Sequence, residues 1–186
     1  METGAKRRGI IRMAIRISGE VRVHIRWLVN RDMEEVLDIE QDSFEYPWTS
    51  EDYTRCLRSR NCIGMVAEYH DEVAGYMVYE LGKNKIHLLN LATAKRFRRC
   101  GVATQMVAKL IGKLSTQRRS KITFEIRETN LQAQLFFRSA GFLATQILKN
   151  HYQEMQEDAY LMQYRHAPEP LAEIYPMAQN RIIQYF

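Results

Sequence analysis

The stretch RFRRCGVATQM, residues 96–106, combines a basic turn, one glycine and the start of an apolar helix. The preceding stretch KIHLLNLATA, residues 85–94, is mostly apolar and predicts a strand buried on both faces. After the glycine, apolar residues recur every four positions from Val102 to Leu114, which is typical of a helix packed on a sheet. A strand, a basic glycine turn and a helix therefore form the centre of the predicted fold.

A glycine turn at the start of a helix is suited to binding an anion. The first N–H groups of a helix have no partner within it, and the helix dipole favours negative charge there. Gly101 lets the backbone approach a ligand closely, while Arg98 and Arg99 can add charge-assisted hydrogen bonds. The turn lacks the Gly-Lys-Ser/Thr of a P-loop and two glycines of the dinucleotide fingerprint. The residues alone leave two interpretations, a phosphate site or a basic helix start facing water.

Apolar periodicity along the rest of the chain predicts the element order βααβββαβαββ. The first strand is predicted at residues 21–29, with Asp32 at the start of the first helix and Thr49 near the start of the second. Asn130 and Gly141 mark the predicted start and end of the last helix. This order predicts an α/β (α+β) domain with a single mixed, twisted sheet of about seven strands and about four helices on its two faces.

Length and charge divide the chain into three predicted parts. With 186 residues, 46% of them hydrophobic, the chain can form one domain with a real core. No apolar run approaches the ~18 residues of a membrane span. We predict a basic N-terminal extension at residues 1–22, a folded domain at 23–164 and a C-terminal tail at 165–186. The extension is either a solvated leader or a contact for RNA, a membrane surface or an acidic partner.

Three cysteines, Cys56, Cys62 and Cys100, have no metal-ligand spacing, and no metal site is predicted. Their odd number, without a secretory signal, favours reduced thiols in a cytoplasmic protein. Because no His or Asp flanks Cys100 in a nucleophile pattern, a packing role is favoured over catalysis.

Four motifs in order resemble the GCN5-related N-acetyltransferase superfamily. The segment Arg98–Ala103 is similar to its Arg/Gln-x-x-Gly-x-Gly/Ala signature, which binds the pyrophosphate of acetyl-coenzyme A (acetyl-CoA). Within the superfamily, IEQDSFEYPW (39–48), FEIRETNLQAQLFFRSAGF (124–142) and LKNHYQEMQEDAYLM (148–162) resemble motifs of the bacterial ribosomal-protein alanine N-acetyltransferases. The similarity extends over residues 22–164, and it implies the acetyltransferase fold of that family.

The resemblance also implies roles for individual residues. Glu125 matches the general base that deprotonates the acceptor amine; without the resemblance it would be interpreted as a surface carboxylate paired with Arg127. Contacts to acetyl-CoA are implied for the end of a strand, the glycine turn and the last helix. These residues are Leu91, Ala92, Thr93, Arg98, Arg99, Cys100, Gly101, Val102, Ala103, Thr104, Asn130 and Phe137.

One position departs from the family pattern, because Phe137 replaces the tyrosine that serves as general acid. Three hypotheses follow: the thiolate leaves unaided or is protonated by water, another tyrosine such as Tyr152 donates the proton, or activity is lost. His87 is a second base candidate, with an ordinary strand histidine facing the first helices as the alternative. Trp48 and Tyr152 are candidates to line the acceptor slot, with a core or interface role as the alternative.

The resemblance leads to a first functional hypothesis, N-acetylation of a protein N-terminal amine, with the N-terminal alanine of a small-subunit ribosomal protein as acceptor. A second hypothesis changes the acceptor to a lysine side chain or a small-molecule amine. A third, raised by Phe137, is an acetyl-CoA-binding module without turnover. The basic extension is a weak indication of a nucleic-acid-rich location.

Overall fold

The computed structural model describes residues 19–153 and 156–166, so most of the predicted extension and tail lies outside the described residues. Within these ranges, seven strands form one sheet in the order β1-β2-β3-β4-β5-β7-β6, in which β4 and β5 pair in parallel and the other neighbours pair antiparallel. The predicted element order and mixed sheet are confirmed. The strands are β1 (His24–Trp27), β2 (Cys62–Tyr69), β3 (Glu72–Leu81), β4 (Lys85–Thr93), β5 (Lys121–Arg127), β6 (Leu143–Tyr152) and β7 (Glu157–Arg165), and the helices are α1 (Met33–Ser43), α2 (Ser50–Leu57), α3 (Val102–Ile111) and α4 (Leu131–Ser139).

Helices cover both faces of the sheet, which accounts for the long apolar runs in its central strands. Val66 and Val78 belong to the cluster of buried residues formed with α1 and α2. Their chain neighbours Met65 and Met77 belong to the cluster formed with α3 and α4. Because successive strand residues point to opposite faces, β2 and β3 contribute to both clusters and join them into one folded unit.

Two predicted boundaries and one predicted helix cap differ from the observed elements. β1 is shorter than predicted because residues 21–23 contact the start of α3, where the amide of Val21 donates to the carbonyl of Cys100 at 3.0 Å. The helix α3 ends at Ile111, before Leu114, which is nevertheless buried. Asp32 lies at the start of α1, but its carboxylate accepts the amide of Val29 and forms no helix-cap hydrogen bond.

An extra residue in β4 changes which side chains face each layer. Val78 of β3 pairs with Asn90, whereas the next residue, Tyr79, pairs with Leu88, so Leu89 is a β-bulge. A bulge bends its strand and interrupts regular pairing on that side. The bulge lies two residues after His87, the last residue of β4 that pairs with β5.

Pairing between β4 and β5 is confined to their first three residues. It ends at His87 opposite Thr123, although β5 remains paired with β7 as far as Arg127. Beyond that point the facing edges of β4 and β5 diverge, and a cleft opens between two strands near the middle of the sheet. The prediction that β4 is buried on both faces is therefore only partly correct, because His87, Leu89 and Leu91 are half-buried.

The prediction of three reduced thiols is wrong for two of them. Cys56 and Cys62 form a disulfide with a Cα–Cα distance of 5.9 Å. The two residues meet because a tight turn joins the end of α2 to β2, in which Ser59 donates to Cys56 and Cys62 donates to Ser59. Cys100 is 2% exposed in the core, as its predicted packing role requires.

A buried carboxylate, Glu40, holds the segment between α1 and α2 against β4. Its oxygens accept hydrogen bonds from the amide of Trp48, the hydroxyl of Tyr53 and the side-chain amide of Asn90, at 2.8 to 3.1 Å. Burial raises the pKa of Glu40, and these donors oppose that effect. Removing the acceptor would leave several buried donors unsatisfied.

We expect Glu40→Ala to lower the free energy of unfolding by about 3 kcal/mol, because it creates unsatisfied donors in a buried site. Urea denaturation of both proteins measures this difference. The matched control is Asp38→Asn, an exposed acid on the same helix, for which a change within about 0.5 kcal/mol is expected. A loss below about 1 kcal/mol for Glu40→Ala would contradict a supporting role for this carboxylate.

Candidate active site

A cleft of about 950 Å³ lies where β4 and β5 separate. One wall is the segment between α1 and α2, and the opposite wall comes from α4 and the end of β6. Five predicted site residues in addition to Glu125 line it, namely Trp48, Leu91, Asn130, Phe137 and Tyr152. The complete lining is Glu40, Ser43, Phe44, Glu45, Tyr46, Trp48, Leu88, Leu89, Asn90, Leu91, Phe124, Glu125, Ile126, Arg127, Thr129, Asn130, Leu131, Gln132, Ala133, Phe137, His151, Tyr152 and Gln153.

Glu125 lies on the cleft wall two residues after the last β4–β5 pair. Its Oε2 is 3.2 Å from Nε2 of His87, and the other ring nitrogen, Nδ1, is 3.1 Å from Oγ1 of Thr123. The contact with His87 lowers the pKa of the Glu125 carboxyl, and burial partly opposes this effect. Glu125 is therefore a carboxylate at neutral pH, held in one orientation by a neighbouring imidazole.

This contact replaces the pairing of Glu125 with Arg127 that the sequence alone suggests. Arg127 does not contact Glu125; it contacts Glu157 through Nε and Glu45 through Nη1, the latter at 2.9 Å. His87 contacts Glu125 and Thr123 on β5, and it lies on the face of the sheet that α1 and α2 cover, because its neighbours Ile86 and Leu88 belong to the cluster on the other face. Side chains that are distant in the sequence meet because β4 and β5 are still paired at His87.

The aromatic side chains of the cleft differ in what they offer chemically. Phe137 is 6% exposed and packs on Phe124 with ring centroids 4.1 Å apart, so the family's tyrosine position holds a ring without a hydroxyl. Tyr152, at the end of β6, is half-buried and lines the same cleft. Burial, followed by the negative charge of Glu125, raises the pKa of its phenol. Trp48 is half-buried and contacts Tyr53 edge to face, so it combines a core contact with a place in the cleft.

The glycine turn lies at the start of α3, and Gly101 is ten residues beyond Leu91, the last residue of β4 that lines the cleft. Gly101 has φ of +78°, a conformation that favours glycine. The first hydrogen bond within the helix runs from the amide of Gln105 to the carbonyl of Gly101 at 3.1 Å, so the amides of residues 101–104 precede the helical ladder. Arg98 donates to the carbonyl of Thr93 and to Oγ of Ser43, which ties the turn to the ends of β4 and α1.

The predicted cofactor residues thus occupy two adjoining regions. Leu91, Asn130 and Phe137 line the cleft, and Oδ1 of Asn130 also accepts the amide of Ala133 as the cap of α4. The others lie outside the lining, on the path from β4 into α3. These are Ala92, Thr93, Arg98, Arg99, Cys100, Gly101, Val102, Ala103 and Thr104.

Sequence reasoning missed three residues that support this site. Thr123 contacts the ring of His87, while Glu40 and Asn90 form the buried pair that fixes the α1–α2 segment. The available signal was Asn90, a polar residue within the apolar stretch LLNLA, whereas Glu40 lies among other polar residues in IEQDS. Their pairing could not be inferred because they are far apart in the chain.

Two further findings concern the residues that the structure describes. No helix among them is long and apolar enough to cross a membrane. Nor do they contain a group of three or more His, Cys, Asp or Glu side chains that could hold a metal ion.

Known proteins are similar to this chain in sequence and in fold. The [ribosomal protein bS18]-alanine N-acetyltransferase of Haemophilus ducreyi is 26% identical over 130 residues, which cover 69% of this chain and 88% of that protein. The crystal structure of the ribosomal-protein-S18-alanine N-acetyltransferase from Escherichia coli superposes with a TM-score of 0.71 at 20% identity, covering 81% of this chain and 97% of the other. Arabidopsis thaliana NAA60, solved in complex with acetyl-CoA, has a TM-score of 0.69 at 16% identity and covers 77% of this chain and 99% of its own.

The two structural likenesses show the fold alone, whereas the family follows from the sequence. The pattern of the acetyltransferase (GNAT) family matches residues 33–142, which include α1, the split between β4 and β5, the glycine turn and α4. This segment is more than half of the chain, and it contains Glu125 and the turn at Gly101. The chain is therefore a member of the GNAT family of acetyltransferases.

Proposed function

We propose that this protein transfers the acetyl group of acetyl-CoA to the α-amine at the N-terminus of another protein. The carrying observation is the position of Glu125, a carboxylate fixed by His87 on the wall of a cleft that leads along β4 to the glycine turn. The amine would enter between the α1–α2 segment and Tyr152, and the cofactor would approach from the side of α3. The N-terminal alanine of a ribosomal protein is the acceptor to test first, because the relative from Haemophilus ducreyi is named for that reaction.

The shape and chemistry of the two regions fit acetyl-CoA. The edge of β4 after His87 is not paired with β5, so its N–H and C=O groups can bind an amide-containing arm in the manner of an added strand. The amides of residues 101–104 suit a diphosphate. The cofactor supplies an acetyl thioester, an acyl group already activated for attack by an amine. Leu91, Ala92 and Thr93 would hold the arm, and the turn from Arg98 to Thr104 would hold the diphosphate.

The state of Glu125 favours an α-amine over a lysine as acceptor. Contact with His87 lowers the pKa of this carboxyl, which keeps it ionised but makes it a weak base. At pH 7.5 an α-amine with pKa near ~7.8 is about one-third unprotonated, whereas a lysine with pKa near ~10.4 is unprotonated in about one molecule in a thousand. A weak base can accept a proton from an α-ammonium group far more readily than from a lysine ammonium group.

Phe137 stands where the family has a tyrosine that protonates the departing thiolate. Tyr152 is our candidate for this role in the present protein. Burial and the charge of Glu125 raise the pKa of this phenol, so it carries its proton at neutral pH. It lines the same cleft as Glu125. Because a thiolate with a conjugate-acid pKa near ~8.5 is a good leaving group, this assistance need only be modest.

The first test is acetylation of two peptides, followed by mass spectrometry. One peptide has a free N-terminal alanine, and the other has a blocked N-terminus and an internal lysine. With acetyl-CoA present, we expect acetylation of the first peptide alone, because its amine requires little deprotonation. Preferential acetylation of the lysine peptide would overturn the proposed acceptor, and absence of both products would point to another amine.

Variants of the two proton-handling side chains test the mechanism. Glu125→Gln should lower kcat by about 10²-fold with little change in the Kd for acetyl-CoA, because it removes only the base. Tyr152→Phe should lower kcat by about 10-fold, since a thiolate leaves with little help. Adding Phe137→Tyr to Tyr152→Phe should restore turnover, whereas the control Tyr160→Phe, outside the cleft lining, should not change it. Full activity of Glu125→Gln would show that another group, first of all His87, is the base.

His87→Ala tests how the imidazole controls the base. Because His87 lowers the pKa of Glu125 and burial raises it, removing the ring should raise that pKa. The acidic limb of the pH profile of kcat/KM, where Glu125 becomes protonated and activity falls, should then move to higher pH. His24→Ala, which removes a mostly exposed histidine on β1, should leave the limb in place. If the acidic limb of His87→Ala stays at the same pH, protonation of Glu125 does not determine the position of that limb.

A further inference from the structure

The residues directly before β1 are bound to the start of α3. Val21 donates its amide to the carbonyl of Cys100 at 3.0 Å, and its side chain is 6% exposed. The side-chain amide of Gln105 donates to the carbonyl of Val21 at 2.6 Å and accepts the amide of Val23 at 3.1 Å. Residues 20–23, called the N-terminal strap below, are thus held beside the glycine turn by the backbone of that turn and by the first turn of α3.

The strap places a carboxylate against the glycine of the turn. A Cβ atom added to Gly101 would lie 3.0 Å from Cγ and 3.1 Å from Oε1 of Glu20. Glu20 is exposed, so its carboxylate meets solvent beside Gly101. Gly101 precedes α3, whose first amides and dipole favour an anion. Glu20 therefore lies in the same electrostatic field as the proposed diphosphate of acetyl-CoA.

One cation of the turn, Arg98, is directed away from this carboxylate. The guanidinium of Arg98 donates to the carbonyl of Thr93 and the hydroxyl of Ser43, which lie on the side of β4 and α1. A second anion bound at the start of α3 would therefore be repelled by Glu20 as well as attracted by the helix. Repulsion between exposed like charges is modest, and salt screens it.

We propose that Glu20 weakens the binding of acetyl-CoA through the diphosphate, so that the N-terminal strap sets the affinity of the cofactor site. This inference rests on the proposed function, since it takes the glycine turn as the diphosphate site. It assigns a role to a residue before the segment that matches the family pattern. The effect belongs to binding and not to the acetyl transfer step, because Glu20 lies at the turn and is not a lining residue of the cleft that contains Glu125.

Calorimetric titration of the full chain with acetyl-CoA tests the proposal. Glu20→Gln should lower the Kd by about two- to five-fold at low ionic strength, the range for exposed charge pairs, with kcat unchanged. This gain in affinity should disappear at about 0.5 M salt, where the electrostatic screening length is only a few ångströms. The matched control is Glu51→Gln, the same charge change at an exposed position in the first turn of α2.

Two probes locate the effect on the ligand. Dephospho-CoA retains the diphosphate and should show the same gain, whereas acetyl-pantetheine, which lacks it, should bind both proteins equally. An unchanged or higher Kd in Glu20→Gln, or an equal gain with acetyl-pantetheine, would overturn the inference while leaving the proposed function intact. Failure of the unaltered protein to bind acetyl-CoA would instead overturn the cofactor assignment, and this inference with it.

Discussion

The separation of β4 from β5 is the constraint on which the rest of the candidate site depends. Parallel pairing ends at His87 and Thr123, and the bulge at Leu89 turns the remainder of β4 away from its neighbour. A sheet that continued to pair here would satisfy its own backbone groups and leave no cleft. The end of pairing leaves a strand edge for an amide-containing ligand, and it places Glu125 on the wall of the opening.

A cleft inside a sheet needs support from both sides. On one side, Glu40 binds Trp48, Tyr53 and Asn90, so the segment that follows α1 is fixed to the diverging part of β4. On the other, Glu157 accepts from Thr129 and Arg127 and joins the end of β5 to β7. Such fully bonded buried carboxylates favour one arrangement over others, since each alternative leaves a charge or a donor without a partner.

The chemistry of the site follows from where its charges are placed. A carboxylate contacting an imidazole remains ionised and becomes a weak base, which suits an acceptor that is already partly unprotonated. The helix start that we propose as the diphosphate site also lies beside Glu20, and the same helix dipole acts on any anion at that end of α3. The proposed base and the proposed determinant of cofactor affinity are therefore different residues, in regions joined by β4.

The sequence by itself determined the element order, the family resemblance and most candidate residues, because those signals are local. Positive φ at Gly101, the cap at Asn130 and the apolar stripe of α3 each depend on neighbours within a few positions. Only the tertiary structure decided that His87 contacts Glu125, that Cys56 and Cys62 form a disulfide, and that Glu20 meets Gly101. These contacts depend on strand register, on where pairing stops and on how a turn folds back, and no local pattern of residue types specifies that geometry.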